Sequence, residues 1–189
     1  MKLVTFLYQG REIPGILEHD TVRPLPCASM QALIESGTVP EPAGEWLPLS
    51  MVTLLAPIPH PRQDIICLGI NYRDHAEEAA RFSGDAFRKE RPIPIYFSKR
   101  VAEAVPPNGH PGLVEQLDYE AELAVVIGRT AKDVPANQAG EYIFGYTILN
   151  DVSARVLQTA HKQWYFGKGL DGFTPMGPWI TTADEVAFP

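Results

Sequence analysis

The segment Leu117–Gly128, "LDYEAELAVVIG", decides how this chain is read. Its composition is that of a β-strand, yet Asp118, Glu120 and Glu122 crowd its first half. Side chains alternate across a strand, so these acids share one face with Ala124 and Val126. Tyr119, Ala121, Leu123, Val125 and Ile127 form a wholly apolar second face. The first face turns from acidic to apolar, which predicts a strand that becomes buried on both sides as it runs. Parallel carboxylates entering a core repel one another and lose hydration, unless a cation or hydrogen-bond donors compensate. Glu120 and Glu122, two apart on a rigid strand, can reach one hard divalent ion through oxygen. The plain alternative is an edge strand with its acids in water.

Downstream, "YIFGYTILNDVS" (142–153) reads as a strand ending at Asn150-Asp151. Asp151 would add a third carboxylate to Glu120 and Glu122. Three carboxylates, with water in the remaining positions, suit Mg²⁺, Mn²⁺ or Ca²⁺; zinc would want Cys or His. Standing alone, Asp151 would be read as a helix N-terminal residue facing the dipole. "ARVLQTAHKQWYF" (154–166) has helical character and places Arg155 and Gln158 three apart, able to grip a substrate carboxylate or simply to form an exposed helix face. In the glycine-rich "FGKGLDG" (166–172), Lys168 can approach a ligand and stabilise an oxyanion, or can be a solvated loop lysine.

Upstream, "DIICLGI" (64–70) predicts a fully buried strand, followed by a helical "RDHAEEAARF" (73–82). His75 and Glu78 are three apart there, so a carboxylate can orient an imidazole as a general base. Spacing leaves Glu77 as a competing partner. Residues 83–92 form a polar, charged stretch expected to be a mobile loop, and "IPIYFSKR" (93–100) a further strand carrying Lys99, open to either substrate contact or solvent. Before all of these, strands are expected at 2–8 and 12–18 around a Gln9-Gly10 turn. A helix is expected from Met30 to Glu35, capped by Ser29 and ended by Gly37. Prolines at 57, 59 and 61 then make a stiff connector. These features predict a small β-rich N-terminal domain over 1–56 and a strand-dominated α+β domain over 57–189, built on a strongly curved sheet or barrel.

The 189 residues are 45% hydrophobic and 21% charged, an ordinary globular balance, and the net charge of −7 disfavours nucleic acid or an anionic membrane as partner. No apolar run reaches membrane-span length, and the N-terminus lacks the apolar core of a signal peptide. Cys27 and Cys67 in apolar settings suit reduced thiols in the cytoplasm.

Taken together, "ICLGINYRDHAEE", "PIYFSK", "LDYEAELAVVIG", "GYTILNDVSARVLQ" and "QWYFGKGLDGFTPMGPWI" resemble the fumarylacetoacetate hydrolase family in order and spacing, over roughly Pro57–Pro189. The N-terminal part resembles the small leading domain of bacterial members. The resemblance implies a mixed β-roll catalytic domain, a divalent metal (usually Mg²⁺ or Mn²⁺) and a homodimer. It assigns Glu120, Glu122 and Asp151 to the metal, and His75 and Glu78, rather than Glu77, to a catalytic dyad. Lys168 matches the family's active-site lysine, Arg155, Gln158 and Lys99 fall among substrate contacts, and 78–92 matches a lid. Members act on 2-oxo acids. The leading expectation is therefore a metal-dependent hydrolase cleaving a carbon–carbon bond in a 2,4-dioxo acid. The alternative is a decarboxylase or isomerase of 2-oxo or hydroxymuconate-type diacids. Members also continue past the "GPWI" strand, so the resemblance implies a catalytic domain lacking C-terminal strands at Pro189, and leaves an inactive fragment as a rival of another class.

Overall fold

The computed structural model describes residues 1–72, 93–109, 112, 114–160 and 163–187. Its first elements are β1 (Lys2–Tyr8) and β2 (Arg11–Glu18), paired antiparallel from Leu3↔Ile16 to Tyr8↔Arg11. The two-residue turn between them needs a left-handed backbone, and Gln9 (φ 50°) and Gly10 (φ 74°) supply it. β3 (Thr21–Pro24) extends the hairpin into a meander. The helix α1 (Met30–Ser36) follows; the Ser29 side chain accepts from the Ala32 N–H at its start, and Gly37 at φ 67° ends it. Met30, Leu33 and Ile34 form its buried stripe.

Two short strands come next, β4 (Leu47–Pro48) and β5 (Thr53–Leu54), then the hairpin β6 (Ile65–Gly69) and β7 (Ile95–Lys99). β8 (Leu117–Asp118), β9 (Ala121–Ile127), β10 (Ile143–Asn150) and β11 (Ser153–Ala154) follow. A 3₁₀ turn over Ala136–Tyr142, entered from Pro135, joins β9 to β10. The short helices α2 (Arg155–Ala160) and α3 (Trp164–Lys168) precede the last strand, β12 (Ile180–Thr182). Among the described residues no helix is long and apolar enough to cross a membrane.

One open sheet runs in the order β4-β3-β2-β1-β12-β10-β9, with β5 also on β1. The N-terminal strand thus pairs with the last one, Leu3 opposite Ile180, and the sheet crosses the proline connector without a break. The core follows the sheet: Leu3, Ile16, Met30 and Leu33 pack with Val126 and Ile180. The terminal ammonium of Met1 adds a bond to Thr182 Oγ1 (2.6 Å) and an ion pair with Glu185 (2.7 Å).

Two expectations about burial are corrected. The strand over 64–70 is not buried on both sides, because among the described residues β6 pairs only with β7, in a separate two-stranded sheet that lays one face on the body. Cys67 points in, while Ile66 is 63% exposed. β9 does not become buried on both sides either. The apolar row Leu123, Val125 and Ile127 stands about half exposed, while the face carrying Glu122, Ala124 and Val126 turns inward. The acids therefore point at the interior.

Gly145 on β10 faces β12 so closely that a methyl group there would run into the Thr181 carbonyl oxygen and the Ile180 side chain. Gly145→Ala is expected to lower stability by about 1–3 kcal/mol, the usual cost of overpacking. A urea midpoint unchanged from the parent would show that this junction yields instead.

Candidate metal centre

The acidic segment is not one continuous strand. β9 pairs with β10 as far as Ala121↔Asn150, and pairing resumes at Ser153↔Asp118 between β8 and β11. At the gap between them the Glu120 N–H donates to Asn150 Oδ1 (3.0 Å), and the Asp151 N–H donates to the Glu120 carbonyl (2.8 Å). The register is the same on both sides of this gap, so Glu120 and Asp151 stand opposite each other on neighbouring segments. Glu122, opposite Leu149 in the register, adds the third.

One ligand oxygen from each of Glu120, Glu122 and Asp151 lies within 4.8 Å of the others. Oxygens on a common six-coordinate ion stand about 3–4 Å apart, so small side-chain adjustments suffice. Asp151 is fully buried, and among the described residues its Oδ1 has no directed hydrogen bond. The Lys99 ammonium lies 2.7 Å from that oxygen, but its directed donors go to the carbonyls of Val152 (3.0 Å) and Lys168 (2.6 Å). A buried carboxylate oxygen with a free lone pair, in an all-oxygen set, fits a hard divalent cation.

Lys168 closes α3 and is buried against the cluster. Its ammonium donates to Glu120 Oε1 (3.0 Å), Asp151 Oδ2 (2.5 Å) and Ser153 Oγ (2.9 Å), which uses all three of its protons. Arg155 approaches from the opposite side. Nε and Nη2 both meet Asp118 Oδ2 (2.9 and 2.7 Å), and Nη2 also meets Glu120 Oε1 (2.7 Å). Its Nη1 is held by Gln158 Oε1 at 2.9 Å. Removing one cation from such a buried arrangement would strand a charge, at a cost of about 3–5 kcal/mol.

Burial first, then the charges of Asp151 and Glu120, pushes the Glu122 carboxyl up to about 7. Burial lowers Lys99 from its usual value, while Asp151 beside it opposes the shift. Burial, reinforced by Asp151 and Glu122, pushes the Cys67 thiol up to about 12, so it remains a neutral wall residue near the carboxylates.

The structure thus brings together Glu120, Glu122, Asp151, Lys168, Arg155 and Gln158. His75 and Glu78, with Glu77 and the 78–92 segment, lie outside the described residues. Lys99, expected among the substrate contacts, is fully enclosed behind Asp151. Sequence reasoning overlooked Asn150 and Ser153. The Ser153 hydroxyl accepts from Lys168, and its one proton is shared between Glu120 Oε1 (3.2 Å) and the Asp151 carbonyl (3.0 Å). The visible signal was their adjacency to Asp151 in "NDVS", a polar cluster at a strand end.

The raised Glu122 carboxyl has two measurable consequences. In the folded metal-free protein Glu122 stays protonated to about pH 7, against 4.5 ordinarily, so its stabilising contribution is complete below 4.5 and lost as pH climbs through about 7. Glu122→Gln should flatten the metal-free thermal-stability profile between about pH 5 and pH 7. Metal binding must displace that proton, so Mn²⁺ affinity should fall about tenfold between about pH 8 and pH 6. Calorimetric Mn²⁺ titrations independent of pH over that range would contradict this geometry.

Comparison with known proteins gives this site a context. The family described as "Fumarylacetoacetate (FAA) hydrolase C-terminal" matches residues 64–189, and "Rv2993c-like, N-terminal" matches 1–57. Oxaloacetate tautomerase YisK of Bacillus subtilis is 44% identical over 148 residues, covering 75% of this chain and 46% of that protein. A fumarylacetoacetate hydrolase structure from Exiguobacterium antarcticum superposes with TM-score 0.79 at 36% identity, covering 99% of this chain and 68% of that one. A 5-carboxymethyl-2-hydroxymuconate delta-isomerase structure from Mycobacterium smegmatis superposes at 0.68 with 33% identity, covering 96% and 67%. The chain spans about half the length of the curated relative and two-thirds of these solved ones. With three carboxylates converging on neighbouring strand segments and the family match covering two-thirds of the residues, this chain belongs to the fumarylacetoacetate hydrolase family.

Proposed function

We propose that this protein is a divalent-metal-dependent enzyme that interconverts the keto and enol forms of a short 2-oxo diacid of the oxaloacetate type. The observation that carries the reading is the convergence of Glu120, Glu122 and Asp151 with the Lys168 ammonium bonded to two of them. Its similarity to a tautomerase and to a hydroxymuconate isomerase supports proton transfer as the chemistry.

The charges narrow the substrate. Asp118, Glu120, Glu122 and Asp151 face Lys99, Lys168 and Arg155, leaving one net negative charge when all are ionised. A divalent ion, Mg²⁺ or Mn²⁺, held by Glu120, Glu122 and Asp151 turns that into one net positive charge and supplies Lewis acidity toward an enolate oxygen. A small anionic 2-oxo acid then complements the site better than a neutral substrate. Arg155 and Gln158, already locked to each other, offer a preset edge to a substrate carboxylate. Lys168 can stabilise an enolate only by giving up one present partner, and the neutral Ser153 hydroxyl is the weakest of the three. His75, oriented by Glu78, is assigned the proton shuttle between C3 and the enol oxygen, an assignment resting on the family resemblance.

Hydrolysis of a carbon–carbon bond in a 2,4-dioxo acid is the second reading, favoured by the similarity to the Exiguobacterium antarcticum enzyme. It would use the same anchors, with His75 taking its proton from water. A cytoplasmic homodimer completes the proposal. The free Cys27 and Cys67 suit that compartment, and light scattering of the purified protein tests the assembly.

The deciding experiment follows enol oxaloacetate by its ultraviolet absorbance, with Mg²⁺, Mn²⁺ or a chelator, alongside assays of pyruvate release and acetylpyruvate cleavage. Keto–enol exchange accelerated at least about a hundredfold over the solution rate, and lost with chelator, is expected. His75→Ala should lose that acceleration while binding Mn²⁺ as before. Acetylpyruvate cleavage without oxaloacetate exchange would replace the leading reading by the hydrolytic one, and pyruvate release would make the enzyme a decarboxylase.

A further inference from the structure

Lys99 is the last residue of β7, and its side chain has no solvent exposure at all. Enclosing a lysine this completely is costly unless every ammonium proton is used. Here the ammonium touches three groups: Asp151 Oδ1 (2.7 Å), the Val152 carbonyl (3.0 Å) and the Lys168 carbonyl (2.6 Å). Those groups come from positions 52 to 69 residues later in the chain. The β6–β7 hairpin shares no strand pairing with the main sheet, so this lysine is a polar tie between that hairpin, the Asp151 corner and the end of α3. The Phe173 ring, 5.9 Å from the ammonium, walls it in.

We propose that Lys99 is a positioning residue, which fixes the Asp151 carboxylate relative to Lys168 and so sets the spacing of the metal centre without touching the substrate. The proposal rests on the reading of Glu120, Glu122 and Asp151 as metal ligands. With no exposed atom, Lys99 has nothing to offer a substrate carboxylate. Its two directed bonds go to backbone carbonyls, which leaves the free lone pair of Asp151 Oδ1 in place for a cation. Loss of the ammonium would leave the carboxylate held only at Oδ2, by Lys168, and would free the carbonyl at the end of α3 from its tie to β7.

Lys99→Met keeps the buried stem and removes the charge. In the purified protein it should retain the circular dichroism of the parent and weaken Mn²⁺ binding, read by electron paramagnetic resonance of the free ion, by tenfold or more, about the effect expected for an outer partner of a metal ligand. At saturating Mn²⁺, kcat for oxaloacetate exchange should fall while KM stays within about threefold. Unchanged Mn²⁺ affinity would overturn the proposal, as would a raised KM with unchanged kcat, the sign of direct substrate contact. Should Lys99→Met fail to fold, Lys99→Arg carries the test, since it keeps the charge but cannot place a planar guanidinium on all three partners. Weaker Mn²⁺ binding by that variant supports positioning, and parental binding refutes it. Failure of the parent protein to take up Mn²⁺ would sink the metal assignment and this proposal together. Tight parental binding with indifferent variants would sink this proposal alone.

Discussion

The organisation of this molecule turns on the near-neutralisation of buried carboxylates by buried cations. Glu120, Glu122 and Asp151 sit where water is scarce, and Lys168 and Lys99 are enclosed beside them. Neither set tolerates burial without the other. Asp151 is bracketed, with Lys168 at one oxygen and Lys99 at the other. Arg155 secures Glu120 from the outer side by bridging it to Asp118. With every group ionised the set would carry one net negative charge, and the proton that Glu122 holds to about pH 7 offsets it in the metal-free protein.

The fold supplies this arrangement through the register of one antiparallel pair. Pairing stops after Ala121↔Asn150 and resumes in the same register at Ser153↔Asp118, which sets Asp151 opposite Glu120. Glu122, two residues on, shares the face of Glu120. In the gap the Asn150 side chain accepts from the Glu120 N–H, and the Glu120 carbonyl accepts from the Asp151 N–H, so both amides are satisfied. Around this point lies a sheet that joins the N-terminal strands to the later ones through β1 and β12. The first 56 residues therefore share a core with the strands that carry the site.

Much of the local structure was legible in the sequence because it is short-range. The Gln9-Gly10 turn, the Ser29 cap and the Gly37 stop each rest on one or two residues with few conformational options. The three carboxylates were legible too, since acids at alternate strand positions with an apolar continuation are costly without compensation. That the second, apolar face of β9 stays half exposed was not legible in the same pattern, which predicted burial on both sides. An apolar row normally marks the buried side, yet here Leu123, Val125 and Ile127 face outward and the acids face in. Alternation gives two faces but cannot say which one the rest of the chain covers.

By itself the sequence determined the strand and helix chemistry, the oxygen-only donor set and, through the five motifs, the family. Tertiary structure alone decided which cation meets which acid. Lys99 and Lys168 looked equivalent as lysines near glycines or strand ends. Only folding buried one behind Asp151 and set the other across Glu120 and Asp151. Charge pairing over 17 to 52 residues is fixed by the path of the whole chain, whereas turns, caps and alternation are fixed by neighbours a few bonds away.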